Sequence, residues 1–179
     1  MRIIAGERRG VRLHAPRGSS VRPTSDRVKE AIFNIVWDVS EARVLDAYAG
    51  TGALGLEALS RGAAAASLVE RDRQTAMLAR RNVEKVGLDG AEIVIGSIEA
   101  HLRREAARGS RYDLVLIDPP YGEAARAMKM LGKLLPPVLS DSATVVVETD
   151  RRVEPRLPLE LVTSRTYGAT RVSVFRGPG

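Results

Sequence analysis

The residues Asp118-Pro119-Pro120-Tyr121 set a carboxylate, two rigid backbone positions and an aromatic ring directly after the apolar run Leu114-Val115-Leu116-Ile117. That run has the length and branching of a buried strand, so the tetrapeptide falls at a strand's carboxyl end. Proline fixes φ and drives the residue before it out of the helical region, which makes Asp118 and Pro119 extended. The Asp118 carboxylate and the Pro119 carbonyl then converge as two acceptors on one point, with Tyr121 placed to stack on a planar ligand. An exocyclic amino group of a nucleobase, with two N–H donors beside a π face, fits this arrangement. A strand that closes in a Pro-Pro turn with a surface tyrosine fits these four residues equally well.

A second constellation lies upstream, in Val44-Leu45-Asp46-Ala47-Tyr48-Ala49-Gly50-Thr51-Gly52-Ala53-Leu54-Gly55. Gly50, Gly52 and Gly55 satisfy G-x-G-x-x-G between a predicted strand and a predicted helix. Glu70 follows at the end of the next predicted strand, where a carboxylate can accept from both hydroxyls of a ribose. This spacing points to a nucleotide-type cofactor rather than a merely structural turn. NAD would satisfy it too, but Asp46 at the loop entrance would repel a pyrophosphate. An anion there suits a cationic ligand with an amino group and a sulfonium, and S-adenosylmethionine is such a ligand.

The elements that must position these groups alternate along the chain. Strands are predicted near 43–48, 66–70, 91–95, 113–117 and 143–148, with helices between them near 53–61, 72–86, 97–108 and 123–135. Gly62, Gly87 and Gly109 stop three of the helices and Pro136-Pro137 the fourth. Such alternation predicts an α/β fold: a Rossmann-like, mostly parallel sheet with helices on both faces. The last two strands, near 160–166 and 170–176, are joined by a turn too short for a crossover, so the final strand is antiparallel. Ahead of the alternation, Arg2–Ala5 and Gly10–Leu13 flank a predicted hairpin turn. Ser25 caps a predicted helix on which Val28, Ile32, Ile35, Val36 and Val39 recur. Two units follow: a basic extension over 1–40 (hairpin, loop, helix) and a cofactor-binding catalytic domain over 41–179.

Composition narrows the chemistry. The 179 residues contain no cysteine, which excludes disulfides and thiolate sites. His14 and His101 lack metal-ligand spacing, so surface or packing roles are expected for them and no metal is expected. No apolar run approaches the ~18 residues of a membrane span, and a soluble, cytoplasmic monomer is expected. The net charge is +6. Residues 1–27 hold Arg2, Arg8, Arg9, Arg12, Arg17, Arg22 and Arg27 against only Glu7 and Asp26. Coding bias explains arginine in place of lysine, but not the scarcity of acids there. A basic arm reaching for phosphate is the reading adopted.

The motifs Asp46 to Gly52 and Asp118 to Tyr121, in this order, resemble the class I methyltransferases. Their fourth motif, acid or Asn followed by Pro-Pro-aromatic, belongs to enzymes that methylate exocyclic amines. The segments Met1-Arg2-Ile3-Ile4-Ala5-Gly6, Gly10-Val11-Arg12-Leu13 and Arg22-Pro23-Thr24-Ser25-Asp26-Arg27-Val28-Lys29-Glu30-Ala31-Ile32-Phe33-Asn34 narrow the resemblance to the RsmD family. These are bacterial enzymes that make N2-methylguanine in 16S rRNA, and the resemblance spans essentially the whole chain. It implies Asp118, Pro119 and Tyr121 as catalytic residues. It implies Asp46, Tyr48, Gly50, Thr51, Gly52, Glu70, Ser97 and Ile98 as contacts to S-adenosylmethionine. It implies Arg8, Arg9, Arg12, Arg17, Arg22, Thr24, Arg27 and Asn34 as contacts to 16S rRNA, naked or in a small-subunit particle. For Thr24 and Asn34 a turn or capping role fits equally well. Many class I enzymes place Asp or Asn after the third strand, where this chain has Gly96-Ser97-Ile98; a serine hydroxyl accepts a weaker hydrogen bond than a carboxylate. The fourth motif alone would also admit an adenine-N6 methyltransferase, and a non-catalytic nucleic-acid-binding module is the further alternative.

Overall fold

The computed structural model describes residues 1–15, 25–120 and 122–177. A helix α1 (Asp26–Val36) precedes β1 (Arg43–Asp46), α2 (Ala53–Ser60), β2 (Ala65–Glu70), α3 (Arg73–Val86), β3 (Ala91–Ile95), α4 (Ile98–Arg108), β4 (Tyr112–Ile117) and α5 (Ala124–Leu134). A short 3-10 turn (Pro136–Val138) then leads into β5 (Leu139–Asp150), β6 (Glu160–Tyr167) and β7 (Thr170–Arg176). The seven strands form one sheet in the order β3-β2-β1-β4-β5-β7-β6. The first five run parallel, and β7 is antiparallel to both β5 and β6. The mostly parallel sheet with an antiparallel last strand is therefore present as the periodicity predicts. β5 starts earlier than the apolar run suggests, because Tyr112 of β4 already pairs with Leu139 across an irregularity in the ladder.

Local chemistry accounts for the element ends. The Ser25 hydroxyl accepts the Val28 N–H at 3.2 Å and caps α1. α1 stops at Val36, short of Val39, because Trp37 turns to φ +67 while its N–H still reaches the Phe33 carbonyl. Gly87 and Gly109 close α3 and α4 in the left-handed region. Among the described residues no helix is long and apolar enough to cross a membrane.

Side chains alternate across the central strands with a period of two, and each face has its own core. Val44, Leu114, Leu116 and Val146 pack with Leu56 and Leu59 of α2 and with Ile32 and Phe33 of α1. Leu45, Val115, Ile117 and Val147 pack with Leu102 of α4 and Leu131 of α5. Ile3 and Leu13 belong to the first of these clusters, so residues 1–15 share a core with the sheet. The predicted N-terminal hairpin is present as an antiparallel bridge between Arg2 and Arg12, flanked by hydrogen bonds from the Ile3 N–H to the Val11 carbonyl, the Gly10 N–H to the Ile3 carbonyl and the Leu13 N–H to the Met1 carbonyl. Side chains of other elements also hold the backbone there, among them Glu57, Ser60 and Asn82.

Candidate active site

The strand order reverses between β1 and β4. In open α/β sheets such a switch point leaves a crevice at the carboxyl ends of the strands. Asp46 ends β1 opposite Leu116 of β4, and Asp118 follows just beyond. The two carboxylates of the sequence motifs thus meet at one place in the fold.

Asp46 is 1% exposed, and its Oδ2 accepts the Gly55 N–H at 2.9 Å. Burial pushes its carboxyl up to about 7; the Gly55 hydrogen bond opposes this, while the charges of Asp118 and Glu70 add to it. Gly52, at φ +81 and ψ 13, leads the chain from the loop into α2. A Cβ on Gly55 would lie 2.1 Å from Leu68 Cδ2, so a larger residue there would have to displace the buried Leu68 side chain for α2 to keep this approach to β2. Closeness brings the Gly55 N–H onto Asp46.

Glu70 stands at the end of β2 on the other side of the loop. Its Oε2 accepts the Gly50 N–H at 3.0 Å and its Oε1 the Asp72 N–H at 2.8 Å. Each oxygen retains further acceptor capacity, so the carboxylate both shapes the glycine loop and can receive hydroxyl donors. Tyr48 is half-buried beside the loop, its hydroxyl pKa raised by burial and by Glu123, against the charge of Arg71. The crevice joins a backbone turn with two carboxyl groups, one buried and one at a strand end with acceptor capacity left.

A family model described as conserved hypothetical protein 95 matches residues 1–176. The ribosomal RNA small subunit methyltransferase D of Escherichia coli K12 is 38% identical over 161 residues, covering 88% of this chain and 78% of the relative. The chain belongs to the RsmD family. The enzyme of the same name from Haemophilus influenzae is 34% identical over 158 residues, covering 84% and 79% of the two chains. A solved Thermus thermophilus protein of the same shape is 32% identical with a TM-score of 0.84, covering 98% of this chain and 99% of its own. More distantly, a chain solved in complex with SAH shares the class I methyltransferase fold at TM-score 0.70 and 15% identity.

In this RsmD-family chain Asp118 opens a pocket of about 50 Å³ that is also lined by Ser25, Pro119, Glu148, Thr149 and Thr170. The Pro120 carbonyl accepts the Glu123 N–H at 3.0 Å, fixing the turn that follows. Tyr121, Arg17, Arg22 and Thr24 lie outside the described residues. Ser97 caps α4, its hydroxyl accepting the Ala100 N–H at 3.2 Å, and Ile98 is buried in the second core cluster. Arg9, Arg12, Arg27 and Asn34 are exposed. Arg8 is half-buried: its guanidinium donates to the Gly87 carbonyl at 3.1 Å and pairs with Glu7 at 3.2 Å.

Three groups near the site escaped sequence reasoning. Glu57 is fully buried in α2 and accepts the N–H groups of Ile4 (2.8 Å) and Ala5 (3.0 Å). It also pairs with Lys29 at 3.1 Å and Arg61 at 2.9 Å, and Lys29 in turn donates to the Arg2 carbonyl. Asn82, buried in α3, accepts the His14 N–H at 2.7 Å and donates to the Thr51 carbonyl at 2.9 Å. It thereby ties the cofactor loop to the end of the N-terminal segment. Glu148 is the third. The signal available for Glu57 and Asn82 was a polar side chain on an otherwise apolar helix face. His101, 2% exposed, meets the Tyr112 hydroxyl at 2.9 Å, and burial lowers its pKa.

Proposed function

We propose that this chain transfers a methyl group from S-adenosylmethionine to 16S rRNA, at the exocyclic N2 of a guanine. The observation that carries the reading is the convergence of Asp46, Glu70 and Asp118 at the switch point. A buried carboxyl raised to about 7 among other carboxylates is a site that gains by receiving a cation and would reject a pyrophosphate. The names of the Escherichia coli and Haemophilus influenzae relatives support rRNA as the substrate.

Asp46 would face the positive end of the cofactor, Glu70 its ribose hydroxyls, and the Gly50 to Gly52 backbone its adenosyl portion. Bound there, S-adenosylmethionine supplies an electrophilic methyl group on a positively charged sulfur. Guanine N2 would bond to that carbon as the carbon–sulfur bond breaks, the sulfur keeping the electron pair, and one N2 proton would pass to the Asp118 carboxylate. The N2 lone pair is delocalised into the ring, which makes it a poor nucleophile. Asp118 and the Pro119 carbonyl accept the two N2–H bonds, aim the lone pair and stabilise the charge that develops on nitrogen. Alignment of two bound reactants contributes roughly 7–11 kcal/mol more. The base must leave its stack to enter the pocket, and Tyr121 is the ring assigned to receive it. Arg8, Arg9, Arg12, Arg17, Arg22 and Arg27 are assigned to phosphate contact, with Thr24 and Asn34 beside the substrate.

The deciding experiment is transfer of labelled methyl groups to unmodified 30S particles and, separately, to naked 16S rRNA, followed by nucleoside analysis. N2-methylguanosine is the expected product. N6-methyladenosine would overturn the guanine assignment, and preferential binding of NAD over S-adenosylmethionine would overturn the reading of the site.

A further inference from the structure

Asp118 answers for the amine that reacts, but any exocyclic amine would satisfy it. Adenine N6 and guanine N2 each offer two N–H donors beside a π face. What distinguishes the two bases is the neighbouring ring atom: N1 of guanine carries a proton, whereas N1 of adenine carries a lone pair.

A group able to read that atom stands beside Asp118. β4 and β5 run parallel with Ile117 opposite Val147, so the next residue on each chain, Asp118 and Glu148, are neighbours across the two strands. Adjacent strands lie ~4.8 Å apart, a spacing that lets two carboxylates address adjacent atoms of one base. The period of two puts both on the face of Leu116 and Val146, the face that packs with α1. Both line the same small pocket. Glu148 is only 9% exposed, at the end of the run Val145-Val146-Val147. Its chain neighbours are turned to local tasks: the Thr149 hydroxyl donates to the Val153 carbonyl at 3.1 Å, and Asp150 accepts the Arg152 N–H at 2.9 Å.

We infer that Glu148 is the residue that selects guanine, its carboxylate accepting the N1–H beside the reacting N2 while Asp118 holds the amine. The inference rests on the amine-methylation reading of the pocket. An adenine in the same pose would press the N1 lone pair against the Glu148 carboxylate. A site built to hydrogen-bond a donor rejects a ligand lacking it by factors on the order of 10⁴. Glu148 is thus a substrate-reading residue, and Asp118 would have no base preference without it.

The test uses 2-aminopurine, which keeps the N2 amine of guanine but carries a lone pair at N1. Full-length protein is assayed on 30S particles reconstituted around 16S rRNA with either guanine or 2-aminopurine at the modified position. Wild type should strongly prefer guanine. Glu148→Gln should lose roughly ten- to hundredfold in kcat/KM on guanine. Its amide N–H can donate to a bare N1, so its preference over 2-aminopurine should collapse by a larger factor. Calorimetry with S-adenosylmethionine should show unchanged affinity in the variant, which confirms a folded cofactor site. An unchanged guanine to 2-aminopurine ratio in Glu148→Gln would overturn the role of Glu148 and leave guanine methylation standing. Failure of wild type to methylate the guanine particle would overturn the underlying reading instead.

Discussion

Two buried carboxylates lie against helix α2, and they are held in opposite ways. Glu57 is surrounded by donors: two backbone N–H groups from Ile4 and Ala5, the Lys29 ammonium and the Arg61 guanidinium. Asp46 takes a single hydrogen bond among the described residues, from Gly55, and shares its surroundings with Asp118 and Glu70. Burial costs both, but only Glu57 is compensated inside the chain. A compensated charge is a fastener; here it locks the N-terminal segment and α1 onto the helix that follows the glycine loop. An uncompensated one, ringed by like charge, would be relieved by a cation from outside, as the proposed cofactor would supply. The contrast predicts that damage at one site appears as instability and damage at the other as lost chemistry.

The largest effect belongs to the functional side. Asp118→Ala should lower turnover by about 10²- to 10⁴-fold, the range of a lost proton acceptor in the transition state. Thermal unfolding and cofactor affinity should stay near wild type. A comparable fall in affinity would place Asp118 with the cofactor instead of the base.

On the structural side, Glu57→Ala leaves Lys29 buried without its anion, and the Ile4 and Ala5 N–H groups without an acceptor. The expected loss is roughly 3–5 kcal/mol of folding stability in a denaturant titration. Lys29→Met in the same background should recover part of it, because the stranded charge is then gone. If the single variant unfolds like wild type, the N-terminal segment is not fastened through Glu57.

The asymmetry also explains what could be read from the sequence. The strands announced themselves as branched apolar runs, and the glycine motif with Glu70 fixed the crevice, because both depend on local spacing. Asp46 and Asp118 were legible for the same reason. The fastening was not: Lys29 and Glu57 each sit on an apolar helix face, but nothing local names one as the other's partner. Asn82 and Glu148 share this limit, since their neighbours come from distant strands and loops. The N-terminal turn was legible as a hairpin because its flanks alternate, and its backbone bonds join those flanks; that Ile3 and Leu13 join the common core was not. Ser97 shows a different ambiguity, for its hydroxyl caps α4 while keeping the O–H donor through which a serine at that position could also meet a ligand.

Asp46 itself gives a pH signature. Its folded pKa, about 7, is raised from an ordinary value of 3.8. Its contribution to stability is therefore fully present below about pH 4 and is lost as pH rises through about 7. Three units correspond to a penalty on the order of 4 kcal/mol for the cofactor-free protein at high pH. Asp46→Asn keeps an acceptor for the Gly55 N–H and cannot ionise. It should be more stable than wild type at pH 8, with the advantage shrinking as pH falls from 7 to 4. Parallel stability curves for the two proteins would mean that Asp46 titrates normally and is not the uncompensated anion.

Glu70 is the intermediate case and carries the smallest expected effect. It is part fastener, through Gly50 and Asp72, and on the proposed reading part binding group, through the acceptor capacity that remains. Glu70→Ala should weaken S-adenosylmethionine binding by about ten- to hundredfold, the worth of hydrogen bonds to a charged acceptor. A looser glycine loop alone could produce the same loss, so affinity by itself does not separate the two roles. A cofactor analogue lacking the ribose 2′-hydroxyl does. If Glu70 receives that hydroxyl, the analogue should bind wild type less tightly than S-adenosylmethionine and bind Glu70→Ala about equally well, since the lost partners belong to one interaction. Equal discrimination by both proteins would assign Glu70 wholly to the loop and move it to the side of Glu57.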